Sequence, residues 1–88
     1  LIIEQVLAHY PDRSSPLRII DIGTGTGCIL LSLLSEYKNA TGVGLDISPS
    51  ALAIAKLNSV HFTLAHRAEF LLSKEYNVGG KLFDVVVS

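Results

Sequence analysis

A chain of 88 residues with a net charge of −1, 49% hydrophobic and 17% charged, holds one small domain with enough apolar surface for a core. That balance excludes charge-driven disorder and any standing attraction to polyanions or lipid headgroups, so neither nucleic-acid binding nor a membrane association is expected. The single cysteine, Cys28, rules out an internal disulfide framework and favours a cytoplasmic setting, and the apolar runs are too short to span a bilayer.

The first ten residues place Leu1, Ile2, Ile3, Val6, Leu7 and Tyr10 on one helical face. Pro11-Asp12-Arg13-Ser14-Ser15-Pro16 follows as a turn-rich linker, so residues 1–16 form a helix and linker ahead of the main domain. Residues 17–22 are a short, β-branched apolar run, a buried strand. From Thr26 to Tyr37 a helix is expected, with Ile29, Leu30, Leu33 and Leu34 as its apolar stripe.

Thr41 to Asp46 is a second strand in which Gly42 and Gly44 permit close packing. Ser48-Pro49 then starts a helix, serine as N-cap and proline in the first turn, continuing toward Phe62. Ala68 to Leu72 is a third strand. Gly79-Gly80 turns the chain into a fourth, Leu82 to Ser88, whose apolar run suits a sheet covered on both faces. Strands alternating with helices imply parallel β-α-β units with right-handed crossovers and an α/β three-layer sandwich. The chain begins without methionine and stops on a strand pattern, so it is expected to be part of a longer protein.

Between the first strand and its helix lies Asp21-Ile22-Gly23-Thr24-Gly25-Thr26-Gly27-Cys28. Glycine at every second position lets backbone approach a ligand without a Cβ in the way, at the mouth of a helix whose first N–H groups point outward. A dinucleotide pyrophosphate asks for Gly-x-Gly-x-x-Gly, and here the third position of that fingerprint is Cys28. Asp21, two residues before the first glycine, would repel a pyrophosphate but accept a hydrogen bond from an ammonium group. Asp46, at the tip of the second strand, can accept from both hydroxyls of a ribose through charge-assisted bonds. An ammonium, a ribose and no phosphate describe S-adenosyl-L-methionine, with a nicotinamide or flavin dinucleotide as the alternative.

The candidate cofactor-binding residues are Asp21, Gly23, Thr24, Gly25, Thr26, Gly27, Asp46 and the adjoining Ile47. Simpler roles stand beside these: a tight turn for the glycines, and an N-cap or Asx turn before Ser48 for Asp46. Cys28 is expected as a small core residue, and Arg67-Ala68-Glu69 and Lys74-Glu75 as solvated strand ends. His9, His61 and His66 lack ligand spacing with any Cys, Asp or Glu cluster, so no metal site is expected.

Three segments, Asp21 to Ile29, Gly44-Leu45-Asp46-Ile47-Ser48-Pro49-Ser50-Ala51-Leu52 and Phe83-Asp84-Val85-Val86-Val87-Ser88, resemble the release factor glutamine methyltransferases (the HemK/PrmC family). The resemblance runs from Leu17 to Ser88. It implies a Rossmann-like methyltransferase sandwich with a seven-stranded sheet, of which residues 17–88 supply the first four strands in the order 3-2-1-4. It also implies S-adenosyl-L-methionine as methyl donor, and peptide-chain release factors as substrate, methylated on a glutamine side-chain amide in a Gly-Gly-Gln loop. The family's catalytic Asn-Pro-Pro-Tyr is expected just after Ser88, so no catalytic residue is assigned within the chain. Related enzymes use a similar tetrapeptide on the amino groups of nucleic-acid bases, the alternative acceptor; a non-catalytic scaffold of the same fold is another. One departure stands out: where the family carries Gly-Asp after the third strand, this chain has Ser73-Lys74, with Glu75 one residue further on.

Overall fold

Four apolar segments pair side by side in the computed structural model, which describes residues 2–77 and 79–88. The elements in chain order are α1 (Ile2–His9), β1 (Arg18–Ile22), α2 (Cys28–Glu36), β2 (Thr41–Asp46), α3 (Pro49–His61), β3 (Ala68–Leu72), a short 3-10 turn (Ser73–Glu75) and β4 (Val85–Val87). Leu1, expected at the head of the first helix, lies outside the described residues. All pairings are parallel, in the order β3-β2-β1-β4, as a Rossmann-like sheet requires. Among the described residues no helix is long and apolar enough to cross a membrane.

Register places Ile19 beside Gly42 and Val85, and Gly42 beside Ala68, so these positions share one face of the sheet. That face carries the core: Ile19, Phe70, Val85 and Val87 pack with Val6 of α1, Leu30, Leu31, Leu33 and Leu34 of α2, and Leu52 and Ala55 of α3. A Cβ at Gly42 would collide with the Leu30 side chain, so the missing side chain is what lets α2 lie down on β2.

The apolar stripe of α2 is wider than the periodicity predicts. Leu31 is buried and Ile29 only half-buried, because α1 covers one flank of the helix as well as the sheet covering another. Tyr37 ties these layers: fully buried, its hydroxyl donates to the Tyr10 carbonyl at 2.6 Å, with the Val6 carbonyl at 3.1 Å. Burial pushes its pKa up, which keeps the proton on the oxygen.

Three expectations need correction. Arg67 is no solvated strand end: its guanidinium donates to the carbonyls of Leu34, Tyr37 and Ala40 at 2.8–3.0 Å, satisfying acceptors that the end of α2 leaves open. Cys28 is exposed, because the buried stripe of α2 runs through Leu30, Leu31, Leu33 and Leu34 and leaves Cys28 off it. The fourth strand shortens to Val85–Val87, and Leu82 and Val86 are exposed, since the helices cover only the face that Val85 and Val87 share.

Candidate functional site

The tips of β1 and β2 lie side by side, Asp21 opposite Gly44 and Ile22 opposite Leu45. The chain leaves β1 through a turn in which Gly23, Gly25 and Gly27 have φ of 77°, 57° and 80°, a left-handed backbone that other residues resist. Gly27, in this conformation, cannot be a helical residue, which moves the start of α2 from the expected Thr26 to Cys28.

These glycines differ in what surrounds them. A Cβ on Gly27 would lie 3.1 Å from the Phe70 ring and 3.3 Å from the Ala55 Cβ. Gly27 therefore does the close packing that the dinucleotide fingerprint assigns one position later. A Cβ on Gly23 or Gly25 would meet nothing within 4 Å, so both edge open space at the strand tips.

The turn's donors are met mostly by the tip of β2. The Leu45 carbonyl accepts from the N–H groups of Gly23 and Thr24, each at 2.8 Å, and Thr24 returns its carbonyl to the Gly27 N–H at 2.9 Å. Gly25 N–H donates to Asp46 Oδ2 at 2.8 Å, and Ser48 N–H donates to Asp46 Oδ1 at 3.0 Å. Asp46 thus holds the glycine turn with one oxygen and the entrance to α3 with the other. The Asx turn weighed for this residue is present, and a ribose diol would share a carboxylate that still has lone pairs to offer. Ser48 caps α3 as expected, accepting from the Ala51 N–H at 3.2 Å.

Asp21 is almost fully buried, 3% exposed, and its Oδ2 accepts the Thr24 hydroxyl at 2.9 Å. Burial raises its pKa and the nearby Asp46 charge raises it further, while the Thr24 bond works in the opposite direction. The Asp46 pKa is lowered, chiefly by the N–H groups of Ser48 and Gly25. Two carboxylates on adjacent strand tips therefore have opposite environments. Asp21 is short of positive charge, and Asp46 is already supplied with donors.

Of the candidate residues, Asp21, Gly23, Thr24, Gly25, Gly27 and Asp46 form one hydrogen-bonded or packed unit. Thr26 is exposed, with its carbonyl held by Asn58 Nδ2 of α3 at 3.0 Å, and Ile47 stands 87% exposed beyond Asp46. Asn58, on the third turn of α3, carries no sequence signal for this contact. Gly44 does carry one: a Cβ there would lie 2.8 Å from Thr24 Oγ1, so a glycine at this strand position keeps room for Thr24 beside Asp21. Glu75 and Lys74 are exposed, and Glu75 lines a cavity with Pro49, Lys56 and Leu72 between α3 and β3.

This arrangement suits a cation better than a diphosphate. A pyrophosphate needs free backbone donors, yet the N–H groups of Gly23, Thr24, Gly25 and Gly27 are all engaged and two acids flank the turn. An ammonium group would answer Asp21, and a diol would answer Asp46. These residues fit S-adenosylmethionine.

Known proteins agree. The chain is 37% identical to the release factor glutamine methyltransferase of Caulobacter vibrioides, over 100% of this chain and 30% of that protein. It is 35% identical to the release factor glutamine methyltransferase of Escherichia coli K12, over 99% of this chain and 31% of that one. It spans roughly a third of the length of these relatives. Among solved structures, YjhP from Escherichia coli superposes with a TM-score of 0.75 at 25% identity, over 96% of this chain and 34% of that one. A SAM-dependent methyltransferase from Thiobacillus denitrificans, in complex with S-adenosyl-L-homocysteine, gives 0.77 at 21% identity over the same 96% of this chain and 34% of its own, a likeness of fold. The resemblance to release factor glutamine methyltransferases is borne out by these relatives. Residues 13–88 match the model described as a methyltransferase domain, and the chain belongs to that family.

Proposed function

We propose that residues 17–88 are the cofactor-binding half of an S-adenosylmethionine-dependent methyltransferase whose acceptor is the side-chain amide nitrogen of a glutamine in peptide-chain release factors. One observation supports the cofactor roles above the others: a glycine turn whose amides at Gly23, Thr24, Gly25 and Gly27 are satisfied by the turn and the tip of β2, set between a buried and a half-exposed carboxylate. The names of the relatives support the glutamine acceptor and, with it, action in the cytoplasm, where translation ends.

Each residue has a stated task. Asp21 accepts from the ammonium of the methionine moiety, and that positive charge offsets the cost of keeping a carboxylate buried. Gly23 and Gly25 form a floor without side chains, Thr24 orients Asp21, and Thr26 and Gly27 carry the turn into α2. Asp46 holds the ribose while it holds the turn, and Ile47 offers the adenine an apolar surface. When bound, S-adenosylmethionine supplies a methyl group on a sulfonium that is already electrophilic, so the protein's contribution is alignment and exclusion of water. Alignment of this kind is worth up to ~7–11 kcal/mol of barrier. An amide nitrogen is a weak nucleophile, and the acceptors that orient it belong to the Asn-Pro-Pro-Tyr expected after Ser88.

Calorimetry of the full-length protein with S-adenosylmethionine and with NAD tests the cofactor. Heat with the first and none with the second is expected, and the reverse ends the reading. Mass spectrometry of a purified release factor after incubation tests the acceptor: a single methyl on the Gly-Gly-Gln glutamine is expected. An unmodified release factor alongside methylated nucleic acid refutes it.

A further inference from the structure

Strand β4 has an unusual problem of register. It meets the sheet through three positions only, Val85 beside Ile19, Val86 beside Ile20 and Val87 beside Asp21, and all three of its residues are valine. A slip of one residue exchanges valine for valine at two of the three positions and brings Asp84 or Ser88 into the third. Yet it reverses which side chains face the core and moves the strand tip by about 3.3 Å. The valines thus discriminate poorly between registers, and the selection has to come from the residues that flank them.

Just before β4, one residue supplies it. Asp84 Oδ2 accepts the Arg18 N–H at 2.8 Å, while the Asp84 N–H donates to the Arg18 carbonyl at 2.8 Å. Its own carbonyl accepts the Tyr10 hydroxyl at 3.1 Å, and Tyr10 in turn accepts from the buried Tyr37. The neighbouring Phe83 ring lies 5.6 Å beneath the Arg18 guanidinium. Asp84 therefore grips both backbone groups of the first residue of β1 and is itself held by the segment that follows α1. None of these contacts survives a one-residue slip.

We infer that Asp84 is a positioning residue that sets the register of β4 against β1, and through it the placement of Val87 beside Asp21 and of Ser88 just beyond it, at the rim of the cofactor site. This rests on the function proposed above, in which residues following Ser88 orient the acceptor amide. A displacement of about 1 Å at such a point can cost on the order of 10²-fold in rate.

Asp84→Ala and Asp84→Asn in the full-length protein test this through three readouts: calorimetric affinity for S-adenosylmethionine, kcat and KM on a release factor, and hydrogen exchange of the Val85–Val87 amides. Asp84→Ala is expected to lower kcat by about 10²-fold, to leave cofactor affinity within about twofold because its site lies on β1 and β2, and to speed exchange in β4. Asp84→Asn keeps an oxygen for the Arg18 N–H and is expected to restore kcat and the protection of β4, with affinity again unchanged. Wild-type kcat and protection in Asp84→Ala, an affinity loss parallel to the kcat loss, or no rescue by asparagine overturns the inference. If the wild-type protein methylates no release factor, the proposed function falls by itself. Exchange then decides the register claim, and unaltered β4 protection in Asp84→Ala overturns it. Should Asp84→Ala not fold, Tyr10→Phe removes only the hydroxyl on the Asp84 carbonyl; a smaller shift of the same kind supports the assignment, and none refutes it.

Discussion

The glycine turn between β1 and α2 and the connection between β3 and β4 are both excursions from the sheet, and they are built on opposite plans. In the turn, nearly every backbone donor has a named acceptor, three glycines take left-handed conformations, and Asp46 fastens the turn to the neighbouring strand. In the connection, residues 73–84, the described ties are fewer: a 3-10 turn, Gly79 N–H on Asn77 Oδ1, Lys81 over the Tyr76 ring, and Asp84 on Arg18. Over-determined backbone is what a binding site needs, because a surface already held in place loses little freedom when a ligand arrives. The contrast predicts that substitutions in the turn alter stability and affinity, and that most substitutions in the connection alter neither.

Gly27→Ala should show the largest effect. It forces a side chain onto a left-handed backbone, at about 1–2 kcal/mol, and drives a methyl toward Phe70 and Ala55, at a further ~1–3 kcal/mol of overpacking. A small domain has little stability to lose, so a large fall in the denaturant midpoint is expected. Asp46→Ala comes next. It strips acceptors from Gly25 and Ser48 and, in the proposed role, from the ribose, and calorimetry should show affinity for S-adenosylmethionine falling by about ten- to a hundredfold, the scale of charge-assisted hydrogen bonds. Gly25→Ala isolates the open side of the turn. Its Cβ meets no protein atom within 4 Å, so the midpoint should fall only by the strain of about 1–2 kcal/mol, while cofactor affinity falls out of proportion. Equal losses of affinity per unit of stability in Gly25→Ala and Gly27→Ala would erase the distinction between a ligand-facing and a packing glycine.

The two carboxylates give the comparison a pH signature. The raised pKa of Asp21 means that its contribution to stability is fully present below the ordinary carboxylate range and is lost as pH rises through the raised value. For Asp46, with its lowered pKa, the contribution is present above the ordinary range and is lost as pH falls through the lowered value. Asp21→Asn should therefore raise the melting temperature of the ligand-free protein at neutral pH, with the gain vanishing in acid, while weakening cofactor binding. Thermal scans across pH check this, and a variant less stable than wild type at neutral pH contradicts it.

Strand boundaries at Thr41–Asp46 and Ala68–Leu72 were legible because period, β-branching and flanking polar residues agree there. The glycine turn was legible for a related reason, since glycine writes a backbone requirement directly into the sequence. The role of Arg67 was not. Its partners are main-chain carbonyls at Leu34, Tyr37 and Ala40, which any residue provides, so nothing in the sequence marks them. Asn58 on the Thr26 carbonyl escaped for the same reason, as did Asp84 on the Arg18 N–H. Cys28 misleads because an apolar residue beside Ile29 fits a core stripe, whereas the stripe that is buried starts at Leu30. Side chains that recognise backbone are the part of a site that pattern reading misses.

The smallest expected effect lies at the departure from the related methyltransferases. Lys74 is exposed within the 3-10 turn, and no hydrogen bond or ion pair fixes its ammonium group to the described residues. Lys74→Ala should therefore leave the denaturant midpoint almost unmoved, a change within about ±0.5 kcal/mol. The same variant reads the connection for function. If the cofactor is held from β1 and β2 alone, affinity for S-adenosylmethionine should also stay within about twofold of wild type, the outcome expected for sites that share no partner. A loss comparable with that of Asp46→Ala would move part of the binding energy onto β3 and make the connection a wall of the site in spite of its sparse internal ties. Lys74→Asp, which supplies the acid that the resemblance implies at this position, separates the two cases. It tightens binding only if the adenine amino group lies within reach of that turn.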